Sequence, residues 1–506
     1  MGCVSVFTSL EKIRSESNIW SSDVCRFESL IPMSDSTDIS DIIHHSSLEL
    51  LKSPGVRLHD REILEQLKKH GTRIENDMAM FTEAQVMGSL SSAPKSFTLN
   101  SANSDRSLVI GGNSRCMAGS FGAPFIVTPD HRKRQATFDD FIRVARLIHA
   151  TELIQINGGI LVQPNEIDPG MDKLLMVRAA LALSDKPLLG LQGSYREVRQ
   201  IMELGAIAFG GDRCFRAQPH MLFMINTLSP LQIESEALGT IRACAEYGQP
   251  LAITPALITG NTCPITTEGA MVQANTEFLA ALCVAQILCP GLPVVYGCLS
   301  AQGDMRNGGV NVASPSRFAY IRLAAQMADK YNLPNRGQGV LTDAGQLSFQ
   351  SGYEAMFTLG STYMNRTDLT IHGAGILAGF AAFSYEQFML DLELIQIMER
   401  AHRECSFSKD ALALDVIRQV GPGGEFLTHV HTMKHCRSEP YVSQLAPIKN
   451  DNPLQYLTDL ESNLKKSLLR LEQAYEKPGL DQVLQRDMDT YMTGSGVPAA
   501  FLEKIV

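Results

Sequence analysis

Short apolar runs of four to six residues alternate with stretches of helical length from about residue 137 to residue 404, and this alternation constrains the fold more than any other feature of the chain. The runs read as strands lie at Leu153–Ile156, Pro187–Leu191, Ala206–Phe209, Met221–Ile225, Pro250–Thr254, Pro293–Tyr296, around Arg336–Leu341, and at Leu369–His372. Between them the spacing predicts helices over Met171–Ser184, Ser194–Leu204, Leu231–Tyr247, Glu268–Leu288, Ser316–Tyr331, Gln350–Asn365 and Tyr385–Glu399. Eight such runs alternating with helices is the pattern of an α/β protein built as a (β/α)8 TIM barrel. A doubly wound open sheet shares the alternation, and periodicity alone does not separate the two.

The flanks differ in character. Residues 1–35 are polar and without a period, and read as an N-terminal extension. Over 36–136 an N-terminal helical and small β cap is expected. Ile39, Ile42 and Ile43, then Ile63, Leu64 and Leu67, recur at helical spacing, and strand-like pieces follow at Ser107–Gly112 and Pro124–Thr128. The barrel is expected over 137–404, and a C-terminal helical extension over 405–506.

Composition then excludes several classes. Apolar residues make up 44% and charged residues 19%, enough for a large core and too apolar for wholesale disorder. A net charge of −10 with no long basic run argues against nucleic acid as a partner. The 11 cysteines form no C-x-x-C pair, which suits a reducing compartment. The apolar stretch Ala280–Leu288 is too short to span a membrane, and no basic region leads into an apolar stretch at the start. A soluble, cytoplasmic protein away from membranes is expected.

Catalytic groups of a β/α barrel gather at the C-terminal ends of its strands. Those ends carry Asn157-Gly158-Gly159, Gln192-Gly193, Gly210-Gly211, Asn226, Thr254, Gly297, Asp343 and His372, which are small or polar and nearly free of carboxylates. Neither Asn157-Gly158-Gly159 nor Gly421-Pro422-Gly423-Gly424 is a phosphate-binding fingerprint, so both read as tight turns. Arg336 opens an apolar strand, where it is either exposed or paired with an anion. His372, at a strand end beside glycines, is a site residue or a satisfied core histidine. Tyr296 could offer a π face to a cation or simply pack. His429, His431, His435 and Cys436 are dense enough to hold a divalent ion, or are hydrogen-bonded surface groups.

The ordered series from Thr254-Pro255-Ala256 through Gln273-Ala274-Asn275-Thr276-Glu277, Pro290-Gly291-Leu292-Pro293-Val294-Val295-Tyr296-Gly297, Asp304-Met305-Arg306-Asn307-Gly308, Thr342-Asp343-Ala344 and Ile371-His372-Gly373-Ala374-Gly375 resembles the trimethylamine methyltransferase superfamily. The likeness spans roughly residues 35–492. It implies a barrel that hands a methyl group from a methylated amine to the Co(I) corrinoid of a small cognate corrinoid protein. True trimethylamine enzymes carry pyrrolysine after Thr-Asp-Ala. Here Gly345-Gln346-Leu347 stands in that neighbourhood, which resembles the non-pyrrolysine branch with glycine betaine–corrinoid methyltransferase.

A quaternary ammonium already carries a good leaving group, so its demethylation needs positioning rather than a general acid or a covalent adduct. On this reading Arg336 and His372 are expected to hold a substrate carboxylate and Tyr296 and Tyr353 to face the trimethylammonium group. Asp343 and Gln346 are expected to line the loop. No catalytic side chain and no metal of the chain's own are expected, the corrinoid comes with the partner, and a homo-oligomer is expected. Proline betaine, carnitine, choline-like compounds and trimethylamine are the alternative substrates. A non-catalytic barrel that binds the amine or the corrinoid protein, and a metal-dependent hydrolase or lyase, are the alternative classes.

Overall fold

The computed structural model describes residues 38–446 and 452–505, so the expected N-terminal extension lies outside the described residues. The chain divides into two compact units, up to Ile42 and from Ile43 onward. The second contains the architecture described below.

Eight parallel strands form its centre: β1 Cys116–Met117, β2 Asn157–Gly158, β3 Leu188–Leu189, β4 Met221–Ile225, β5 Leu251–Ile253, β6 Val294–Gly297, β7 Asn335–Gln338 and β8 Leu369–Ile371. Each pairs in parallel with the next from β2 to β8, and β8 pairs with β1 through Leu369 opposite Cys116. A parallel bridge between Ala118 and Ile156 joins β1 to β2 and closes the ring. The sheet is therefore a (β/α)8 barrel and not an open one. A long helix follows each strand: α1 Phe138–Ala150, α2 Asp172–Leu183, α3 Tyr195–Ala208, α4 Ser235–Tyr247, α5 Thr267–Leu288, α6 Ser316–Tyr331, α7 Phe349–Tyr363 and α8 Tyr385–Ala401, with a short additional helix, Asp212–Ala217, after α3.

Local chemistry sets these boundaries. Thr137, Ser194 and Ser348 begin α1, α3 and α7 with reciprocal capping boxes that satisfy free amide groups of the first turn. Asn332, left-handed at φ 55°, stops α6. All five side chains of β4 are buried, as a strand covered on both faces requires. Among the described residues α5 alone has the length and hydropathy of a membrane span, but 83% of its apolar window is buried within the protein.

Two expectations are corrected. Ala206–Phe209 is not a strand: residues up to Ala208 form the last turn of α3, with Phe209 as its cap, and the apolar run marks a helix end packed inward. Gly210-Gly211 consequently follows a helix rather than a strand. The eighth strand is instead β1, which lies upstream of Thr137 and is only two residues long.

The hairpin Ser96–Leu99 with Leu108–Gly111 stoppers the barrel. Its Phe97, Leu99 and Ile110 join one apolar core with Cys116 and Leu369 at the starts of their strands, and with Ala118, Ile156, Leu189, Leu222, Met224, Ala252, Val295 and Ile371. Burial of this set supplies the main driving force for closing the barrel. The N-terminal end of the strands is thereby filled, and the opposite end is left for chemistry.

Candidate functional site

Pleat parity decides which side chains enter the barrel. Leu369 and Ile371 point into the core, and the register places Arg336 beside Leu369 and Gln338 beside Ile371, so β7 aims Arg336 and Gln338 inward. Arg336 is 1% exposed and Gln338 fully buried. All three guanidinium nitrogens of Arg336 and both amide atoms of Gln338 lack a hydrogen-bond partner. On β6 the residue opposite Arg336 is Gly297, which adds no side chain to the space.

A second buried guanidinium comes from a helix. Arg317, in the first turn of α6, donates through Nη1 to the carbonyl oxygens of Leu299 (3.2 Å) and Ser300, while its Nε and Nη2 have no partner. Burial and then the charge of Arg336 push Arg317 down to about 9, and burial pushes Arg336 down to about 10. Both therefore stay cationic at neutral pH. Among the described residues no carboxylate is hydrogen-bonded to either, although Asp343 acts on Arg317 through space. A buried cation without a partner is costly, and these two, near enough to act on each other through space, leave five nitrogens able to donate to an anion.

His372 adds a third unpartnered polar group. Its left-handed φ of 70° ends the pleat of β8, and its side chain is buried with neither ring nitrogen hydrogen-bonded. Burial, then Arg336 and Arg317, hold the imidazole well below its ordinary pKa. The ring is thus neutral, with one N–H to donate and one nitrogen to accept. Phe380 lies 4.8 Å from it between ring centroids and Phe121 lies 6.1 Å away edge-on, giving an aromatic wall beside the cationic groups. Gly159, at φ 73°, lets the chain turn against Phe121, where a Cβ would come within 2.7 Å of the ring. At the ends of β4 and β5, Asn226 Oδ1 and Thr254 Oγ1 are also buried without partners. Cys298, just past β6, contacts Ser300 Oγ at 3.3 Å, and burial raises its pKa, so it is a thiol and no nucleophile at neutral pH.

Arg336 and His372 lie near enough to act on each other through space and Asp343 acts on Arg317, whereas Tyr296, Tyr353 and Gln346 lie elsewhere. Val295 occupies the inward position on β6, so Tyr296 points out into the layer between sheet and helices. There its hydroxyl donates to Asn275 Oδ1 at 3.1 Å and its ring meets Phe278 at 4.3 Å, which leaves no face for a substrate cation. Tyr353 stands 64% exposed on α7, and Gln346 is exposed as well. Asp343 accepts from the backbone N–H groups of Val312 (2.9 Å) and Ala313 (3.1 Å). Glu354 accepts from Thr342 Oγ1 (2.6 Å) and Asp343 N–H (2.8 Å). The Thr-Asp-Ala stretch therefore ties the loops after β6 and β7 together, with Asp343 near enough to Arg317 to act on it through space.

The geometry adds Arg317, Gln338, Phe121 and Phe380 as candidates that no sequence pattern singles out. Arg317 did leave a signal: a cation in the first turn of a helix opposes the macrodipole, so its position asks for a separate reason.

A family model described as trimethylamine methyltransferase (MTTB) matches residues 12–494. The glycine betaine methyltransferase of Desulfitobacterium hafniense (strain Y51) is 34% identical over 404 residues, covering 80% of this chain and 84% of the relative. The proline betaine:corrinoid methyltransferase of Eubacterium limosum is 28% identical over 469 residues, covering 90% of this chain and 96% of the relative. Among solved structures, the monomethylamine methyltransferase of Methanosarcina barkeri superposes with a TM-score of 0.50 at 12% identity, covering 87% of this chain and 88% of that one. That last likeness concerns the fold alone.

Proposed function

The chain belongs to the trimethylamine methyltransferase family, and from that premise we propose that it moves a methyl group from a quaternary ammonium bearing a carboxylate, a betaine, to the reduced corrinoid of a small partner protein. The observation that carries this reading is the pair Arg317 and Arg336, two buried guanidinium groups with five unpartnered nitrogens between them.

A carboxylate bound there accepts charge-assisted hydrogen bonds from Arg336 and Arg317 and a further one from His372. That anchor fixes the other end of the molecule, so the ammonium lies along the Phe380 and Phe121 wall. The acceptor substrate, cobalt in its reduced corrinoid, supplies the nucleophile. The C–N bond breaks, nitrogen keeps the electron pair, and a neutral tertiary amine leaves. No proton moves, which suits an interior whose histidine is neutral and whose thiol is protonated.

Because the substrate's positive charge disappears during transfer, a strong cation trap would favour the ground state and slow the step. Aromatic faces bind a methylammonium weakly, by about 0.5–2 kcal/mol, which meets that requirement. Two fixed cations in the interior further disfavour amines without a carboxylate. Choline and trimethylamine would leave both guanidinium groups unpaired and add a third positive charge. Glycine betaine, carnitine and proline betaine all carry the anion the receptor needs.

The loops after β5 and β6 expose Ile265 (64%) and Met305 (59%), and the start of α7 exposes Phe349 (96%), at the same end of the barrel, which supports docking of the corrinoid protein over the site. The nine described cysteines are free thiols, which supports a cytoplasmic setting. A homo-oligomer remains the proposed assembly, supported by Phe407, Leu427 and Val430, each 75% exposed or more. Titration calorimetry tests the substrate reading. Glycine betaine or carnitine is expected to bind the wild-type protein, choline to bind far more weakly, and Arg336→Ala to erase the difference. Equal binding of choline and glycine betaine by the wild-type protein would refute it.

A further inference from the structure

The segment from Cys405 to Val442 lies outside the barrel, and its stability poses a problem. Its three short helices, Lys409–Leu412, Leu414–Val420 and Val430–His435, bury no side chain. Structures of this size without a core need a staple such as a metal or a disulfide. The described cysteines here, Cys405 and Cys436, are free.

We propose that Asp410, His431 and His435 bind a divalent transition cation, with Zn2+ the best fit, and that this ion fastens the first and last of these helices together. Each residue offers one ligand atom, and the three atoms lie within 4.8 Å of one another. His431 and His435 stand one helical turn apart, with ring centroids 4.5 Å from each other. Asp410, 25 residues before His435, already meets it through Oδ2 at 3.0 Å from Nε2. The Nε2 of His431 lies 3.0 Å from the Asp410 carbonyl oxygen. Two imidazoles and a carboxylate with a remaining position for water is a donor set suited to zinc, at ligand distances of about 2.0–2.2 Å.

The neighbours fit this division of roles. Lys434 Nζ sits 2.7 Å from the same Asp410 oxygen, so this carboxylate already pairs with a cation, which a divalent ion would replace with more charge. His429 is not a ligand: its Nδ1 accepts from the His431 backbone N–H at 3.0 Å and caps the helix. Cys436 is exposed and turned to the Met433 carbonyl of its own helix. Of the four residues singled out in the sequence, two are ligands, and Asp410 is the partner that spacing could not reveal. The site is separate from the barrel interior, so it does not depend on the betaine reading.

The full-length protein, stripped with a chelator and dialysed, is titrated with Co2+ while visible d–d absorption is followed, and Zn2+ is then added as competitor. One equivalent of Co2+ is expected to bind and to be displaced by Zn2+, with binding weakened by about tenfold or more in His431→Ala and in His435→Ala. Limited proteolysis gives a second readout: Zn2+ is expected to slow cleavage within 405–442 in the wild-type protein and not in His435→Ala. Equal Co2+ uptake by the wild-type protein and a His431→Ala/His435→Ala variant would overturn the site. So would proteolysis indifferent to Zn2+ in the wild-type protein.

Discussion

Arg317 and Arg336 face one buried interior from different elements, the first turn of α6 and the strand β7, and after burial itself the charge of Arg336 is the largest influence lowering the basicity of Arg317. Like charges held this close are unfavourable unless an anion lies between them. An anion bound between them would relieve that repulsion, and this is the role the proposed function gives them.

Removing one arginine should show this directly. Arg336→Ala is expected to raise KM for glycine betaine by roughly 30-fold or more, the scale of a lost charged hydrogen bond of about 2 kcal/mol. Choline should be affected little, or should bind somewhat better. Steady-state kinetics with both amines makes the comparison, and a parallel loss for both would argue for a folding defect instead.

The aromatic wall should matter less than the anion clamp. Phe380→Leu is expected to weaken betaine binding by about 3- to 10-fold, in line with a cation–π contribution of about 1 kcal/mol. Calorimetry on the purified variant measures it, and an unchanged dissociation constant would take Phe380 out of the site.

Tyr296 separates packing from binding. Tyr296→Phe deletes the hydrogen bond to Asn275 within the sheet–helix layer, so it should cost about 1 kcal/mol of stability and leave KM alone. Thermal melts together with KM decide the matter. A raised KM at unchanged melting temperature would return Tyr296 to the substrate.

Acid stability should report on Asp140, which joins α1 to α8. Burial raises its pKa, but hydrogen bonds from Arg134, the Thr137 backbone, the Thr137 hydroxyl and Tyr385 outweigh that and bring it to about 2 from an ordinary 3.8. A carboxyl with a lowered folded pKa stabilises above its unfolded value, and that contribution is lost as pH falls from about 4 to 2. The shift corresponds to about 2 kcal/mol, reduced towards 1 because the Arg134 side chain is 45% exposed. In urea melts the gap between wild-type protein and Asp140→Asn should be full at pH 6 and close between pH 4 and 2.

Most of the barrel could be read from the chain because its helices advertise themselves. Ser316–Tyr331 was bounded to the residue, since Asn332 stops it in a left-handed turn. β1 escaped because two residues, Cys116 and Met117, carry no periodicity. Ala206–Phe209 misled because a buried helix end and a buried strand present the same short apolar run. The site divides in the same way. Arg336 and His372 stood out as polar groups on apolar strands, but parity, invisible in a run of buried residues, turned Tyr296 outward. Phe121 and Phe380 reach the interior from loops far apart in the chain, and no local pattern joins them.

The most direct test is methyl transfer itself. The purified protein is mixed with cob(I)alamin and glycine betaine under strictly reducing conditions, and loss of the cob(I)alamin absorption is followed alongside formation of dimethylglycine. The expected result is stoichiometric conversion with glycine betaine or another betaine, and little or none with choline or trimethylamine. Turnover of choline or trimethylamine at the rate of the betaines, or no demethylated product from any carboxylated quaternary amine, would contradict it.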